Sequence, residues 1–346
     1  MGVMMKNNSN QKESEFKEMN VVEIKNLVIH YVTSKSTVKA VNGIDLTLKK
    51  GDTLGLVGET GAGKTTAMLS LLNLVPNPPG IIKDGEIIVN GKNIRKLNKK
   101  ELSAVRGREI AMIFQDPMTS LNPVMTVGEQ IEESILMHER VSKKEAFKKT
   151  QELLAMVGID PQRVNEYPHQ FSGGMRQRVV IAIALSCQPS ILIADEPTTA
   201  LDVTIQAQVL KLMKKLKTEK KMSMILITHD LGVVAETCDQ VAVMYAGKIV
   251  EKGTLEEIFN KTKHPYTEGL FNSLPNIQNR VSKLKPISGL MPDPANLPDG
   301  CTFAERCPYV VETCRKKTPE NFQISETHMV ACSRYNEPDF KIMRGN

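Results

Sequence analysis

One stretch of eight residues, Gly58-Glu59-Thr60-Gly61-Ala62-Gly63-Lys64-Thr65, limits what this chain can fold into more than any other. It matches the phosphate-loop pattern G-x-x-x-x-G-K-[ST] at every fixed position. The apolar run Thr53–Val57 reads as a buried strand before it, and residues 65–74 read as a helix after it. Glycines let such a loop wrap closely, so its N–H groups and the helix N-terminus can face an anionic phosphate. Lys64 is placed to reach the β- and γ-phosphates, and the Thr65 hydroxyl to hold Mg²⁺.

Strand and helix patterns alternate around this loop. Residues 21–32 alternate apolar and polar side chains and read as an edge-type strand, with Tyr31 near its end. Residues 41–49 form a second strand, closed by the turn Lys50-Gly51-Asp52. Short strands follow at 86–89, before Asn90-Gly91, and at 110–114. After Gln115-Asp116-Pro117 the pattern turns helical, at 127–138 and 142–157. The second helix opens on the capping box Ser142…Glu145 and lines up Ala146, Phe147, Leu153, Leu154 and Val157 on one face. Ser172 caps a further helix through Ser186, so a helical subdomain at about residues 117–186 is expected between strands. Beyond it come a strand at 191–194, a helix at 203–217, a strand at 222–228 and a helix at 230–237. A hairpin through Ala246-Gly247 then joins 240–245 to 248–251. This order predicts an α/β domain with a largely parallel sheet over residues 21–263. From His264 on, Pro and Cys are dense and periodicity fades, so a second, smaller domain is expected at 264–346.

Two more sites carry chemistry. Asp195 ends a buried strand, where a carboxylate can orient Mg²⁺ through its water shell. Glu196 directly after it is the candidate base for the attacking water. Ser172-Gly173-Gly174 opens a helix whose N–H groups and dipole suit an anion. One ATP has no use for both this helix start and the phosphate loop within a single chain.

Together these motifs resemble the nucleotide-binding subunit of an ATP-binding cassette (ABC) transporter. The resemblance implies a P-loop fold: a RecA-like core, an antiparallel β subdomain, an inserted helical subdomain and a small Cys-containing C-terminal domain. It assigns Tyr31 to adenine stacking, and Gly58, Glu59, Thr60, Gly61, Ala62, Gly63, Lys64, Thr65 and Thr66 to the Walker A phosphate site. Gln115 becomes the Q-loop residue, placed with Thr65 and Asp195 around Mg²⁺. Ser172, Gly173 and Gly174 become the signature, Glu196 the base, Asp202 the D-loop residue and His229 the switch at the γ-phosphate. Met175 departs from the commonest signature, which has Gln there; the contacts made by the Ser hydroxyl and backbone do not depend on it.

Longer strings narrow the family. Residues 114–123 (FQDPMTSLNP), Gly174-Met175-Arg176-Gln177-Arg178, Thr198-Thr199-Ala200-Leu201-Asp202-Val203-Thr204 and His264-Pro265-Tyr266-Thr267 are similar to the ATPases of oligopeptide/dipeptide importers, above all the D-type subunit of the peptide/nickel permease family. Such proteins work as a pair of ATPase subunits, usually unlike. They clamp two ATP molecules and drive two membrane permease subunits fed by an external substrate-binding protein. The resemblance thus implies a peripheral place at the cytoplasmic face of the membrane. Nickel and glutathione importers share these motifs, so the solute is left open.

Cys301, Cys307, Cys314 and Cys332 have five, six and seventeen residues between them. Four thiolates suit zinc or an iron–sulfur cluster, and the spacing lacks the C-x₂-C pairs of most zinc ribbons. The resemblance tips the choice to a [4Fe–4S] cluster, expected to lie remote from the ATP. Cys187 and Cys238 are expected to be core residues.

Composition sets the remaining bounds. With 24% charged and 41% hydrophobic residues among 346, the chain is an ordinary globular one, long enough for two domains. No apolar run approaches the ~18 residues of a spanning helix. Residues 1–20 are polar, without the apolar stretch of a signal peptide, and are expected to be a flexible tail. The net charge is +6, but the lysines are spread along the chain, so solvated faces are expected and no nucleic-acid partner. Six cysteines without a secretion signal argue for a reducing compartment. A soluble cassette ATPase acting on DNA or ribosomes would tend to carry a coiled-coil insertion or a second cassette. A regulatory module that binds nucleotide without turnover has no need of Glu196 and His229.

Overall fold

The computed structural model describes residues 19–199, 201–273 and 286–342. All but the last two residues of the expected 1–20 tail lie outside these. The chain opens with two long strands, β1 (Asn20–Val32) and β2 (Thr37–Lys49). β1 is not an edge strand: it pairs antiparallel with β2 on one side and with β4 (Gly80–Val89) on the other. The register slips between Ile24 and Leu27, where Asn26 is left-handed with φ 46°. The slip resets the alternation, so Ile24 and Leu27 both face the core. β5 (Lys92–Asn93) completes this four-stranded sheet in the order β2-β1-β4-β5.

Between β2 and β4 the chain crosses into the second sheet as β3 (Thr53–Val57), then runs through the phosphate loop into α1 (Lys64–Leu71). Every residue of β3 is buried, as expected of a parallel strand covered on both faces. After α2 (Lys99–Val105) comes β6 (Ile110–Ile113). Four helices then intervene: α3 (Pro117–Ser120), α4 (Val127–His138), α5 (Lys143–Met156) and α6 (Gly173–Leu185). The Ser142–Glu145 capping box forms at the start of α5, and Ala146, Leu153, Leu154 and Val157 are buried. Phe147 is instead exposed, because it sits about 100° round the helix from Ala146.

The chain returns through β7 (Ile191–Asp195), α7 (Val203–Lys220), β8 (Ser223–Ile227), α8 (Leu231–Thr237), β9 (Gln240–Tyr245) and β10 (Lys248–Thr254). Left-handed Ala246 and Gly247, with φ 45° and 80°, turn the β9–β10 hairpin. α9 (Leu255–Asn260), α10 (Pro265–Asn272), α11 (Glu312–Lys316), β11 (Asn321–Gln323) and β12 (Met329–Ala331) follow. The second sheet has the order β11-β12-β10-β9-β3-β8-β7-β6. It is parallel from β9 to β6 and antiparallel from β9 to β11.

The C-terminal segment does not stand apart. β12 pairs with β10, and Phe303 is buried edge-on against Tyr245 in the same apolar core as the helical arm. Cys301 and Cys307 pack against that core too. A polar, proline-rich tail thus shares the cassette's interior, through a few large side chains that periodicity does not register.

Candidate nucleotide-binding site

The phosphate loop is built by glycines that no other residue could replace. Gly58 has φ 153°, and a Cβ there would lie 2.1 Å from the Met244 carbonyl oxygen. Gly63 has φ 101° and caps α1, and its Cβ would lie 2.3 Å from the Ala40 carbonyl oxygen. Lys64 is buried, and its Nζ donates to the carbonyls of Gly58 (2.7 Å) and Glu59 (2.9 Å). Burial lowers its pKa, opposed by the negative charges of Glu196, Asp195 and Glu59. Ala62 is fully buried under the loop, with its N–H on the Glu59 carbonyl.

Thr65 Oγ1 donates to Asp195 Oδ2 at 2.7 Å, joining the loop to the end of β7. Burial pushes the Asp195 carboxyl up, although the Thr65 hydroxyl pulls the other way. Glu196 follows in a left-handed conformation, φ 45°, which turns its side chain back over the cleft. Three residues converge on its carboxylate: Gln115 Nε2 donates at 2.9 Å, Thr199 Oγ1 at 2.9 Å, and His229 Nδ1 lies 3.1 Å away. Burial raises the Glu196 pKa, but the bonds from His229 and Thr199 outweigh it, so the carboxylate is held below its ordinary range. A cleft of about 340 Å³ opens here, lined by Tyr31, Lys64, Thr65, Gln115, Asp195 and Glu196. Thr60, Gly61, Gly63 and Thr66 share its wall, and the Tyr31 hydroxyl lies 3.3 Å from Thr66 Oγ1.

Ser172, Gly173, Gly174 and Asp202 do not line this cleft. Ser172 caps α6 through the Met175 N–H, and Asp202 caps α7 through the Ile205 N–H. The two helix starts lie together: a Cβ on Gly174 would meet Ile205 Cγ2 at 2.4 Å. Ala200, between them in sequence, lies outside the described residues.

Sequence reasoning missed the reach of the C-terminal segment. Pro294 lines the nucleotide cleft, and its carbonyl accepts the Lys39 N–H at 2.9 Å. The Tyr266 hydroxyl accepts the Glu59 N–H at 2.9 Å. Arg306, between Cys301 and Cys307, contacts the Glu59 carboxylate at 3.0 Å. The cysteine segment is therefore not remote from the ATP site. The tyrosine of the His264-Pro265-Tyr266-Thr267 string was the visible signal, although the string by itself names no partner.

Among the described residues no three His, Cys, Asp or Glu side chains are grouped at metal-ligating distance. Of the four C-terminal cysteines, Cys301 and Cys314 are joined through the backbone, the Cys301 N–H donating to the Cys314 carbonyl at 2.7 Å. Burial pushes Cys307 up to about 12 and Cys332 up to about 11, and charge on Cys301 and Cys314 adds to both shifts. Cys301 is raised in the same way, and Cys314 contributes to it. Cys238 is buried as expected, whereas Cys187 is only half-buried.

Cleft, phosphate loop and paired acidic strand end define an ATPase of the ATP-binding cassette class. The family description ABC transporter matches residues 41–199, and the description oligopeptide/dipeptide transporter, C-terminal region, matches residues 250–314. The chain is 52% identical over 313 residues to the oligopeptide transport ATP-binding protein OppD of Bacillus subtilis (strain 168), covering 90% of this chain and 87% of that one. It is 50% identical over 314 residues to the dipeptide transport ATP-binding protein DppD of the same organism, covering 90% and 94%. A solved structure, the post-hydrolysis dimer of the ATP-binding cassette MJ0796 bound to ADP and Pi, is similar with a TM-score of 0.61 and 28% identity. It covers 68% of this chain and 98% of that one. The chain belongs to the ABC transporter family and, within it, to the ATP-binding proteins of oligopeptide and dipeptide transport.

Proposed function

We propose that this chain couples ATP hydrolysis to peptide import by closing against a second ATPase subunit, usually an unlike one. The observation that carries the reading is the convergence of Gln115, Thr199 and His229 on Glu196, beside the Thr65–Asp195 pair. Lys64 binds the β- and γ-phosphates, Tyr31 stacks on the adenine, and Glu196 takes a proton from the attacking water. His229 orients Glu196 and senses the γ-phosphate. Hard oxygens at Thr65, Gln115 and Asp195 suit Mg²⁺, which when bound offsets phosphate charge. Ser172, Gly173, Gly174 and Asp202 lie outside the lining of their own chain's cleft and serve the nucleotide of the partner. Val203, 82% exposed beside Asp202, supports a face made for another subunit.

Exposed Val124 and Met137 on the helical arm fit contact with the paired permease subunits, which receive solute from an external binding protein. Among the described residues no helix is long and apolar enough to cross a membrane. In this reading, attachment at the cytoplasmic face runs through the permeases. Residues 21–263 act as the cassette and 264–346 as its extension.

The finer reading of the extension is a [4Fe–4S] cluster on Cys301, Cys307, Cys314 and Cys332. Its support is the donor chemistry of four cysteines in one short segment. Anaerobically purified protein with four irons per chain is the expected result, and one zinc per chain would replace the cluster by a Cys₄ zinc site. The transport reading is tested by co-expressing the chain with its neighbouring permease and ATPase genes and measuring ATP-dependent uptake into vesicles of labelled peptide, nickel and glutathione. Uptake of nickel or glutathione but not peptide would overturn it.

A further inference from the structure

The side chain of Arg306 is only 6% exposed, yet it carries a full charge. Nε donates to the Ser288 carbonyl at 3.0 Å, and Nη2 reaches the Ile287 carbonyl at 3.5 Å. Nη1 reaches both oxygens of Glu59 at 3.0 Å and the Tyr245 hydroxyl at 3.2 Å. Glu59 is its only acidic partner among the described residues. The Glu59 backbone is also held at both ends: its N–H goes to Tyr266 and its carbonyl receives Lys64. Glu59 is thus a carboxylate placed inside a loop that must receive a polyanion. Left unpaired, it would repel the triphosphate across a short and partly buried distance, where salt screens little.

We propose that Arg306 is a positioning residue for ATP binding: it cancels the Glu59 charge and holds that carboxylate on the far side of the phosphate loop from the nucleotide. The segment between Cys301 and Cys307 is thereby part of the apparatus that keeps the loop receptive to anions. Coupling is reciprocal, so bound nucleotide steadies the 301–307 segment as that segment steadies the loop.

The inference rests on the reading of residues 58–65 as the phosphate loop, and Lys64→Ala serves as the control for that reading. The full chain, with its partners, is titrated with a fluorescent ATP analogue. Arg306→Met is expected to raise Kd about tenfold, inside the usual span of such couplings. Glu59→Gln added to Arg306→Met is expected to recover most of that loss, because no unpaired carboxylate then remains. Arg306→Lys, which keeps the charge, is expected to lie between wild type and Arg306→Met. A merely structural arginine would give losses that add. Hydrogen exchange provides the second readout, since ATP should slow exchange at residues 301–307 in the wild type and much less in Arg306→Met. If Arg306→Met does not fold, the exchange measurement on wild type and Arg306→Lys decides. Wild-type affinity in a folded Arg306→Met, additive losses in the double variant, or exchange indifferent to ATP would overturn the proposal. Unchanged binding in Lys64→Ala would overturn the phosphate-loop reading instead.

Discussion

His229 Nδ1 stands 3.1 Å from Glu196 Oε1, although 33 positions separate the two residues in the chain. The contact joins the end of β8 to the end of β7 and leaves the second carboxylate oxygen to Gln115 and Thr199. One carboxylate therefore ties two other loops to its own. Glu196→Gln should keep nucleotide binding and lose hydrolysis by about 10²–10⁴-fold, the usual worth of a general base. Phosphate release from the assembled complex measures this, and normal turnover would remove Glu196 from the role.

Lys64→Ala acts earlier. The ammonium rests on the Gly58 and Glu59 carbonyls, and in the proposed reading it exchanges them for phosphate oxygens. Removing a charged donor of about 1.5–3 kcal/mol should weaken ATP binding by roughly tenfold to a hundredfold. Equilibrium titration separates this from a purely kinetic defect.

Much of this site was legible in the sequence because its chemistry is local. The loop at 58–65, the strand end at Asp195 and the helix capped by Ser172 are each formed within a few residues, at spacings set by strand and helix geometry. Contacts made at a distance were not legible. Tyr266 and Arg306 reach Glu59 from 207 and 247 positions away, and no periodicity links such positions. The edge reading of β1 failed for a related reason: alternation reports which face is buried, not how many neighbours a strand has. The tail was read as separate because Pro and Cys hide a small apolar set, Phe303 above all, that joins the main core.

Tyr266→Phe tests one of those distant contacts. The Tyr266 side chain is fully buried, and its hydroxyl accepts the Glu59 N–H. Phenylalanine fills the same space but leaves that donor without its partner, at a cost of about 1–3 kcal/mol. Equilibrium denaturation should show this loss together with a raised KM for ATP. A stability loss with unchanged KM would place the tyrosine in packing alone.

Ser172→Arg tests the division of labour between subunits. Its position outside the cleft of its own chain means that nucleotide binding by the isolated chain should survive the change. Turnover by the assembled pair should fall, because the partner's phosphates meet a bulky side chain in place of a hydroxyl. Loss of binding by the isolated chain would place the serine in its own site.

Acid should loosen the attachment of the C-terminal segment through Glu257. This carboxylate caps α9 with Thr254 and also accepts the hydroxyls of Ser325 (2.6 Å) and Thr327 (2.8 Å). Burial raises its pKa, but the bonds from Ser325, Thr254 and Thr327 outweigh it and bring the group down to about 2 from an ordinary 4.5. The folded value lies below the unfolded one, so the unfolded chain binds more protons in between. The stabilisation is then complete above pH 4.5 and is lost as the pH falls toward about 2. Comparing wild type with Glu257→Gln by denaturant unfolding isolates this group from other carboxylates. The gap between them should stay constant from neutral pH down to 4.5 and narrow below it. A gap that held its width down to about pH 2 would mean that protonation does not weaken these bonds.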